Sequence, residues 1–127
     1  MERILLVALG GAVGSVARYL TGVQAMRLFG AAWPVGTFTV NIMGGLLMGV
    51  ITAWLAHRGE AHQENWRLLL AVGAMGGFTT FSAFSLEVAL MLQRRDYLAA
   101  FIYVFASVTI SIIALFGGMA LGRMAFR

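Results

Sequence analysis

One short stretch of this 127-residue chain has residue types and spacing that could do chemistry through its backbone. Residues 73–82 read Gly-Ala-Met-Gly-Gly-Phe-Thr-Thr-Phe-Ser. Glycine costs a helix about 1 kcal/mol relative to alanine, and threonine hydroxyls compete for backbone hydrogen bonds. The stretch therefore predicts a helix that is broken near its middle, and the carbonyls freed at such a break can bind a cation. A continuous helix with a packing notch is the alternative interpretation.

Aromatic rings recur through this stretch at every third residue. A carboxylate continues the same spacing, so the series is Phe78, Phe81, Phe84 and Glu87. The edge of a phenylalanine ring is positive, so ring edges can line an anion path without a fixed charge that would trap the ion. A core or lipid-facing stripe would show the same spacing. Glu87 is near enough to the end of its segment to reach water or to pair with Arg94 or Arg95.

Hydrogen-bond donors mark the segments before and after this stretch. Tyr103, Ser107 and Ser111 recur at intervals of four residues, and Asn41 precedes Gly45 at the same interval. Hydroxyl and amide donors suit a small anion that loses its water, although such hydroxyls can also bond to their own helix carbonyls. Arg18 is predicted to reach a membrane interface or to cap the end of a neighbouring helix, with attraction of an anion as the alternative interpretation.

The elements that must position these residues are membrane-spanning helices. The chain is 61% hydrophobic and 11% charged, with a mean hydropathy of +0.88, whereas soluble domains are roughly 45–50% apolar and about 25% charged. Four apolar segments, at about residues 4–29, 36–55, 68–92 and 97–122, are each long enough to cross a bilayer. We predict an all-α integral membrane protein, a single four-helix domain over residues 1–127, multi-pass in the cell (inner or plasma) membrane.

The 16 glycines are spaced for close helix packing. Four pairs are separated by four residues, namely Gly10 and Gly14, Gly45 and Gly49, Gly73 and Gly77, and Gly118 and Gly122. Within a lipid bilayer, small residues at this interval let helix backbones approach closely. We interpret these pairs as packing contacts, and we expect an oligomer because four short helices enclose little space.

The charges favour neither nucleic acid nor a single membrane orientation. The net charge is +4, but the arginines are scattered and form no basic stripe for nucleic acid. With four spans, one side of the membrane carries Arg3, Arg58, Arg67, Arg123 and Arg127, and the other carries Arg27, Arg94 and Arg95. Since this bias is weak, the chain could insert both ways, and two oppositely inserted copies would form an antiparallel dimer.

No set of residues predicts catalysis or a side-chain metal site. The five acidic residues include no pair within the spans. The second loop is predicted from His57 to Arg67, and its two histidines, His57 and His62, have no further ligands near them in the sequence. There is no cysteine, phosphate-binding loop or dinucleotide fingerprint. We predict that the protein is not an enzyme.

Three motifs together resemble the CrcB/Fluc family of fluoride channels. They are Gly10-Gly11-x-x-Gly14-x-x-x-Arg18-Tyr19, Gly36-Thr37-x-x-x-Asn41-x-x-x-Gly45-x-x-x-Gly49, and Gly76-Gly77-Phe78-Thr79-Thr80-Phe81-Ser82-x-Phe84-Ser85-x-Glu87. The third motif is highly specific, whereas the first two are weak alone. The match in length, order and four-span layout covers the whole chain.

The resemblance implies a dual-topology, antiparallel homodimer that exports fluoride passively through two pores, with a structural sodium ion at its centre. By motif position, the backbone carbonyls of Gly76 and Thr79 would hold the sodium ion. The residues implied for the fluoride path are Asn41, Phe81, Phe84, Glu87, Tyr103, Ser107 and Ser111. One departure is Ala83, where relatives often have threonine, so a hydroxyl contact is not expected at that step.

Two other classes of protein share the size and helix count. A four-helix, dual-topology, proton-coupled drug exporter needs a carboxylate in the centre of its first span, where this chain has only Arg18. A non-transporting subunit of a larger complex would need a stable foreign partner. Neither class explains the third motif.

Overall fold

The structure, a computed structural model, describes residues 1–59 and 62–127, and every regular element in these residues is helical. The elements are α1 (Glu2–Phe29), α2 (Val35–Arg58), α3 (Gln63–Trp66), a π-helical segment (Arg67–Met75), α4 (Gly76–Phe78), α5 (Ser82–Gln93) and α6 (Tyr97–Ala125). The stretches long and apolar enough to cross a membrane are α1, α2, the run Gln63–Gln93 and α6. The all-α, membrane-spanning prediction is therefore confirmed.

The connection between the second and third spans is shorter than the sequence suggested. The expected loop from His57 to Arg67 is wrong at both ends, because α2 continues to Arg58 and α3 begins at Gln63. Residues 60 and 61 lie outside the described part. An ion pair of 2.9 Å between Arg67 and Glu64, three residues apart, stabilises the helical start of the third span.

The third span is broken near its middle, as predicted. Its helix stops after α4, where Thr79 adopts an extended conformation with φ −84° and ψ 161°, and it resumes at Ser82. The π-helical segment before the break carries no sequence signal that we identified. Such wide turns are rare and often lie at functional sites.

The glycines let the helices pack closely in two groups. In one group α1 lies against the π-helical segment and α4, and in the other α2 lies against α6. A Cβ atom built on Gly77 would lie 2.6 Å from the Gly11 carbonyl oxygen, and one built on Gly45 would lie 2.6 Å from that of Ser111. Because no side chain fits at these distances, the packing interpretation of the glycines is confirmed.

A tight reversal turns the chain from α5 into α6. Arg95 is left-handed, with φ 60°, and its N–H donates to the Leu92 carbonyl at 3.0 Å, while the Asp96 N–H donates to the Met91 carbonyl at 2.9 Å. This helix-ending pattern is one that glycine usually supplies. The turn sets α5 beside α6, where Phe84 and Tyr103 join a small buried cluster.

Arg95→Gly is expected to stabilise the protein by about 0.5–1 kcal/mol, because glycine adopts positive φ without the steric cost of a side chain. The measurement is the free energy of unfolding in detergent micelles. Arg94→Gly is the matched control, since Arg94 has a negative φ of −79° and gains nothing from glycine. An Arg95→Gly variant less stable than the original protein would contradict the prediction.

Candidate anion site

A groove of about 400 Å³ lies open along the break, between α2 and α6. Six residues predicted from the sequence line it, namely Asn41, Thr79, Phe81, Phe84, Ser107 and Ser111. The rest of the lining is Thr80 with glycine, methionine and aliphatic residues. The structure thus brings most of the predicted site together on one surface, although these residues come from three different spans.

Asn41 of α2 contacts the break directly. Its Nδ2 atom donates to the Thr80 carbonyl at 3.0 Å, and the Thr80 N–H donates to its Oδ1 atom at 2.9 Å. The side chain therefore pairs with both backbone groups of one residue, as a neighbouring strand would. One N–H of the Asn41 amide is used here, and the amide has a second.

Arg18 of α1 reaches the last turn before the break. Its Nε atom donates to the Gly77 carbonyl at 3.1 Å, which confirms the prediction that it caps a neighbouring helix end. In a continuous helix this carbonyl would accept the N–H four residues later, which belongs to Phe81. A partly buried guanidinium thus satisfies one of the carbonyls that the break exposes.

The expected single face of three rings and a carboxylate is divided by the break. Phe81 and Phe84 remain neighbours, with ring centroids 5.6 Å apart, and Phe84 lies 5.2 Å from the Tyr103 ring. Phe78, before the break, does not line the groove. Phe84 is buried, whereas Phe81 is 78% exposed, so its ring projects from the protomer.

Glu87 lies beside the rings and accepts two short hydrogen bonds. The Thr37 hydroxyl donates to its Oε1 atom at 2.5 Å, and the Tyr103 hydroxyl donates to Oε2 at 2.6 Å. Of the two alternatives for Glu87, pairing with Arg94 or Arg95 is not the one that the structure shows, because α5 turns the carboxylate toward Thr37 of α2 and Tyr103 of α6. Glu87 and Thr37 line a separate cavity of about 180 Å³ beside the first loop. Sequence reasoning placed Thr37 in a motif but gave it no role.

Ser107 and Ser111 supply hydroxyl donors that no other group in the described part of the chain uses. Among residues 1–59 and 62–127, no hydrogen-bond partner is recorded for the buried hydroxyl of either side chain. The alternative that such hydroxyls bond to their own helix carbonyls holds elsewhere, since Thr21 donates to Ala17 and Thr52 donates to Met48. Buried hydroxyls without a partner are costly, so these two are suited to a ligand in the groove.

Tyr103→Phe is expected to lower the free energy of unfolding by about 1.5–3 kcal/mol, because it removes a hydrogen bond to a carboxylate. Thermal unfolding in detergent measures the effect. The control is Tyr97→Phe, which changes an exposed residue on the same helix, 62% accessible. Equal stability of the two variants would show that the Tyr103–Glu87 bond contributes nothing.

Comparison with known sequences shows the family. The profile described as CrcB-like protein, Camphor Resistance (CrcB), matches residues 5–119. The chain belongs to the CrcB family. One family relative, from Caulobacter sp. (strain K31), is 64% identical over 126 residues, which cover 99% of this chain and 98% of the relative. Another, from Phenylobacterium zucineum, is 61% identical and covers 99% of both chains.

The names of these CrcB relatives agree with one another. The Caulobacter and Phenylobacterium proteins are both named fluoride-specific ion channel FluC. A more distant relative from Agrobacterium fabrum, 48% identical over 126 residues, carries the same name. The resemblance stated from the three motifs is thus confirmed at the level of the family, over nearly the whole chain.

Proposed function

We propose that this CrcB protein is a fluoride-selective ion channel that lowers cytoplasmic fluoride by passive export. The observation that carries the proposal is the groove itself, which is lined by Ser107, Ser111, Phe81 and Phe84. The buried hydroxyls of the two serines have no hydrogen-bond partner among the described residues. The fluoride-specific names of the relatives support the choice of ion.

The chemistry of the groove suits a small, strongly hydrated anion. Such an ion needs several donors to replace its water, and the two serine hydroxyls and the second N–H of Asn41 can supply them. The ring edges add weak positive potential. No acidic residue is among those that line the groove in the described chain. Arg18, which bonds to the Gly77 carbonyl and does not line the groove, contributes a positive charge that attracts an anion.

An antiparallel homodimer completes this proposal. Along one side the groove is open, and Phe81 projects from the protomer with 78% of its surface exposed. A second copy in the opposite orientation would cover both features and convert each open groove into a closed path, which gives two pores per dimer. The weak arginine bias of the chain is consistent with insertion in both orientations.

A central sodium ion suits the backbone carbonyl oxygens at the break. In a continuous helix the Gly76 carbonyl would accept the Thr80 N–H, and the Thr79 carbonyl would accept the Ala83 N–H. Instead, these two N–H groups donate to the side chains of Asn41 and Thr80. Neutral backbone oxygens are suitable ligands for a hard monovalent cation, so Gly76 and Thr79 would hold it, together with their copies in the partner. A bound cation there would supply positive charge near the anion path.

The experiment is fluoride efflux from liposomes that contain the purified protein, with a potassium shunt and a fluoride electrode. Chloride efflux from matched liposomes is the control. Rapid fluoride release with little chloride release is the expected result. Folded protein that releases no fluoride would overturn the proposal and favour the drug-exporter or assembly-subunit alternatives.

A further inference from the structure

Two backbone N–H groups at the break bond to side chains rather than to the helix. The Thr80 N–H donates to Asn41 Oδ1 at 2.9 Å. The Ala83 N–H donates to the Thr80 hydroxyl oxygen at 3.2 Å. The acceptors that a continuous α-helix would use are the carbonyls four residues earlier, which belong to Gly76 and Thr79. The two diverted donors therefore correspond to the two carbonyls proposed for the cation.

The two side chains that take these donors are held in place. Asn41 is fixed to Thr80 at both ends of its amide, because it also donates to the Thr80 carbonyl at 3.0 Å. The Thr80 hydroxyl accepts the N–H of the third residue after it, as a helix-capping side chain does. Ser82 lies 3.4 Å from the same hydroxyl. Each diversion is thus supported by a second contact.

We propose that Asn41 and Thr80 are positioning residues, which keep the Gly76 and Thr79 carbonyls available to a cation by taking the N–H groups that would otherwise satisfy them. This inference rests on the proposed sodium role and deepens it. Without these side chains the freed N–H groups bond to the two carbonyls, since an unpaired backbone group in a membrane is costly. The cation then loses the Gly76 and Thr79 carbonyls as ligands, although neither of these two residues has been substituted.

The first readout is stabilisation of the purified protein by sodium, which needs no flux. Unfolding temperatures are measured in detergent over a series of sodium chloride concentrations, with N-methylglucamine chloride keeping the ionic strength constant. For the unchanged protein, the unfolding temperature should rise with sodium. In Thr80→Val, the half-saturating sodium concentration is expected to rise at least about tenfold, which corresponds to losing one interaction with a charged group.

Matched variants distinguish the effect of the hydrogen bond to the Thr80 hydroxyl from the effect of side-chain packing. Thr80→Ser keeps the hydroxyl and is expected to keep the sodium response. Thr21→Val also removes a threonine hydroxyl, but one that bonds only to its own helix at Ala17, so its sodium response should not change. Asn41→Ala is expected to raise the half-saturating sodium concentration as Thr80→Val does. If Asn41→Ala does not fold, the comparison of Thr80→Val with Thr80→Ser still tests the positioning role.

The outcomes also separate this inference from the proposed function. An unchanged sodium response in folded Thr80→Val would overturn the positioning role. An unchanged protein that conducts fluoride but shows no sodium response would overturn the cation site and leave the channel proposal standing. A clear sodium response without any fluoride efflux would overturn the channel proposal and leave the cation site standing.

Discussion

Replacing Phe81 or Phe84 by isoleucine is expected to reduce fluoride efflux at least about tenfold, the factor that follows from losing roughly 1.4 kcal/mol of stabilisation of the ion in its path. Isoleucine keeps the apolar bulk but has no positive ring edge. The two rings lie 5.6 Å apart on the groove wall, so either substitution removes one of two adjacent rings from the path. Fluoride efflux from liposomes measures the effect.

The control for this pair comes from rings outside the groove. Phe101 and Phe105 stack at 5.9 Å on an exposed side of α6, and Phe101→Ile is expected to leave efflux unchanged. Gel filtration shows whether each variant keeps the oligomeric state of the unchanged protein. Efflux at the original rate in both Phe81→Ile and Phe84→Ile would remove the rings from the mechanism.

Adding one methyl group at Gly118 is expected to destabilise the protein by about 1–3 kcal/mol or more, because it overpacks a contact between two backbones. A Cβ atom there would lie 2.9 Å from the Leu46 carbonyl carbon and closer still to its oxygen. Since both atoms belong to helix backbone, neither can rotate away, and α2 must separate from α6. The groove lies between the same two helices, so the Gly118→Ala variant should also lose efflux.

The neighbouring glycine provides a matched control. A Cβ atom on Gly117 meets nothing within 4 Å, so Gly117→Ala is expected to stabilise the helix by about 0.5–1 kcal/mol. Unfolding of both variants in mixed micelles measures the difference. Equal stability of Gly117→Ala and Gly118→Ala would show that the close approach of α2 and α6 does not limit stability.

The features that the sequence predicted well are local ones. Hydrophobic runs predicted the membrane spans, and the glycine and threonine residues of 76–80 predicted the break, because both depend on the chain near those residues. The glycine pairs predicted close packing for a similar reason, since a residue without a side chain has few other uses on a membrane helix. Spacing along α6 placed Tyr103, Ser107 and Ser111 on one side, and of these three Ser107 and Ser111 line the groove whereas Tyr103 does not.

The features that the sequence did not predict depend on contacts between distant segments. Glu87 was expected to reach water or to pair with Arg94 or Arg95, but its partners Thr37 and Tyr103 lie 50 and 16 residues away. The pairing of Asn41 with the Thr80 backbone spans 39 residues. Spacing along one helix cannot reveal which backbone group a side chain on another helix will meet. The division of the ring face followed from the break, whose extent the sequence left open.

The two buried hydroxyls of Ser107 and Ser111 can switch between donating and accepting a hydrogen bond. A serine hydroxyl hydrogen is a rotor, and the same oxygen can accept a hydrogen bond from water or donate one to an anion. Because no protein group holds either rotor among the described residues, its polarity can reverse by rotation about a single bond. Side-chain rotations of this kind take picoseconds to nanoseconds. The hydrogen-bonding direction of these two groove-lining residues can thus change without movement of the helices.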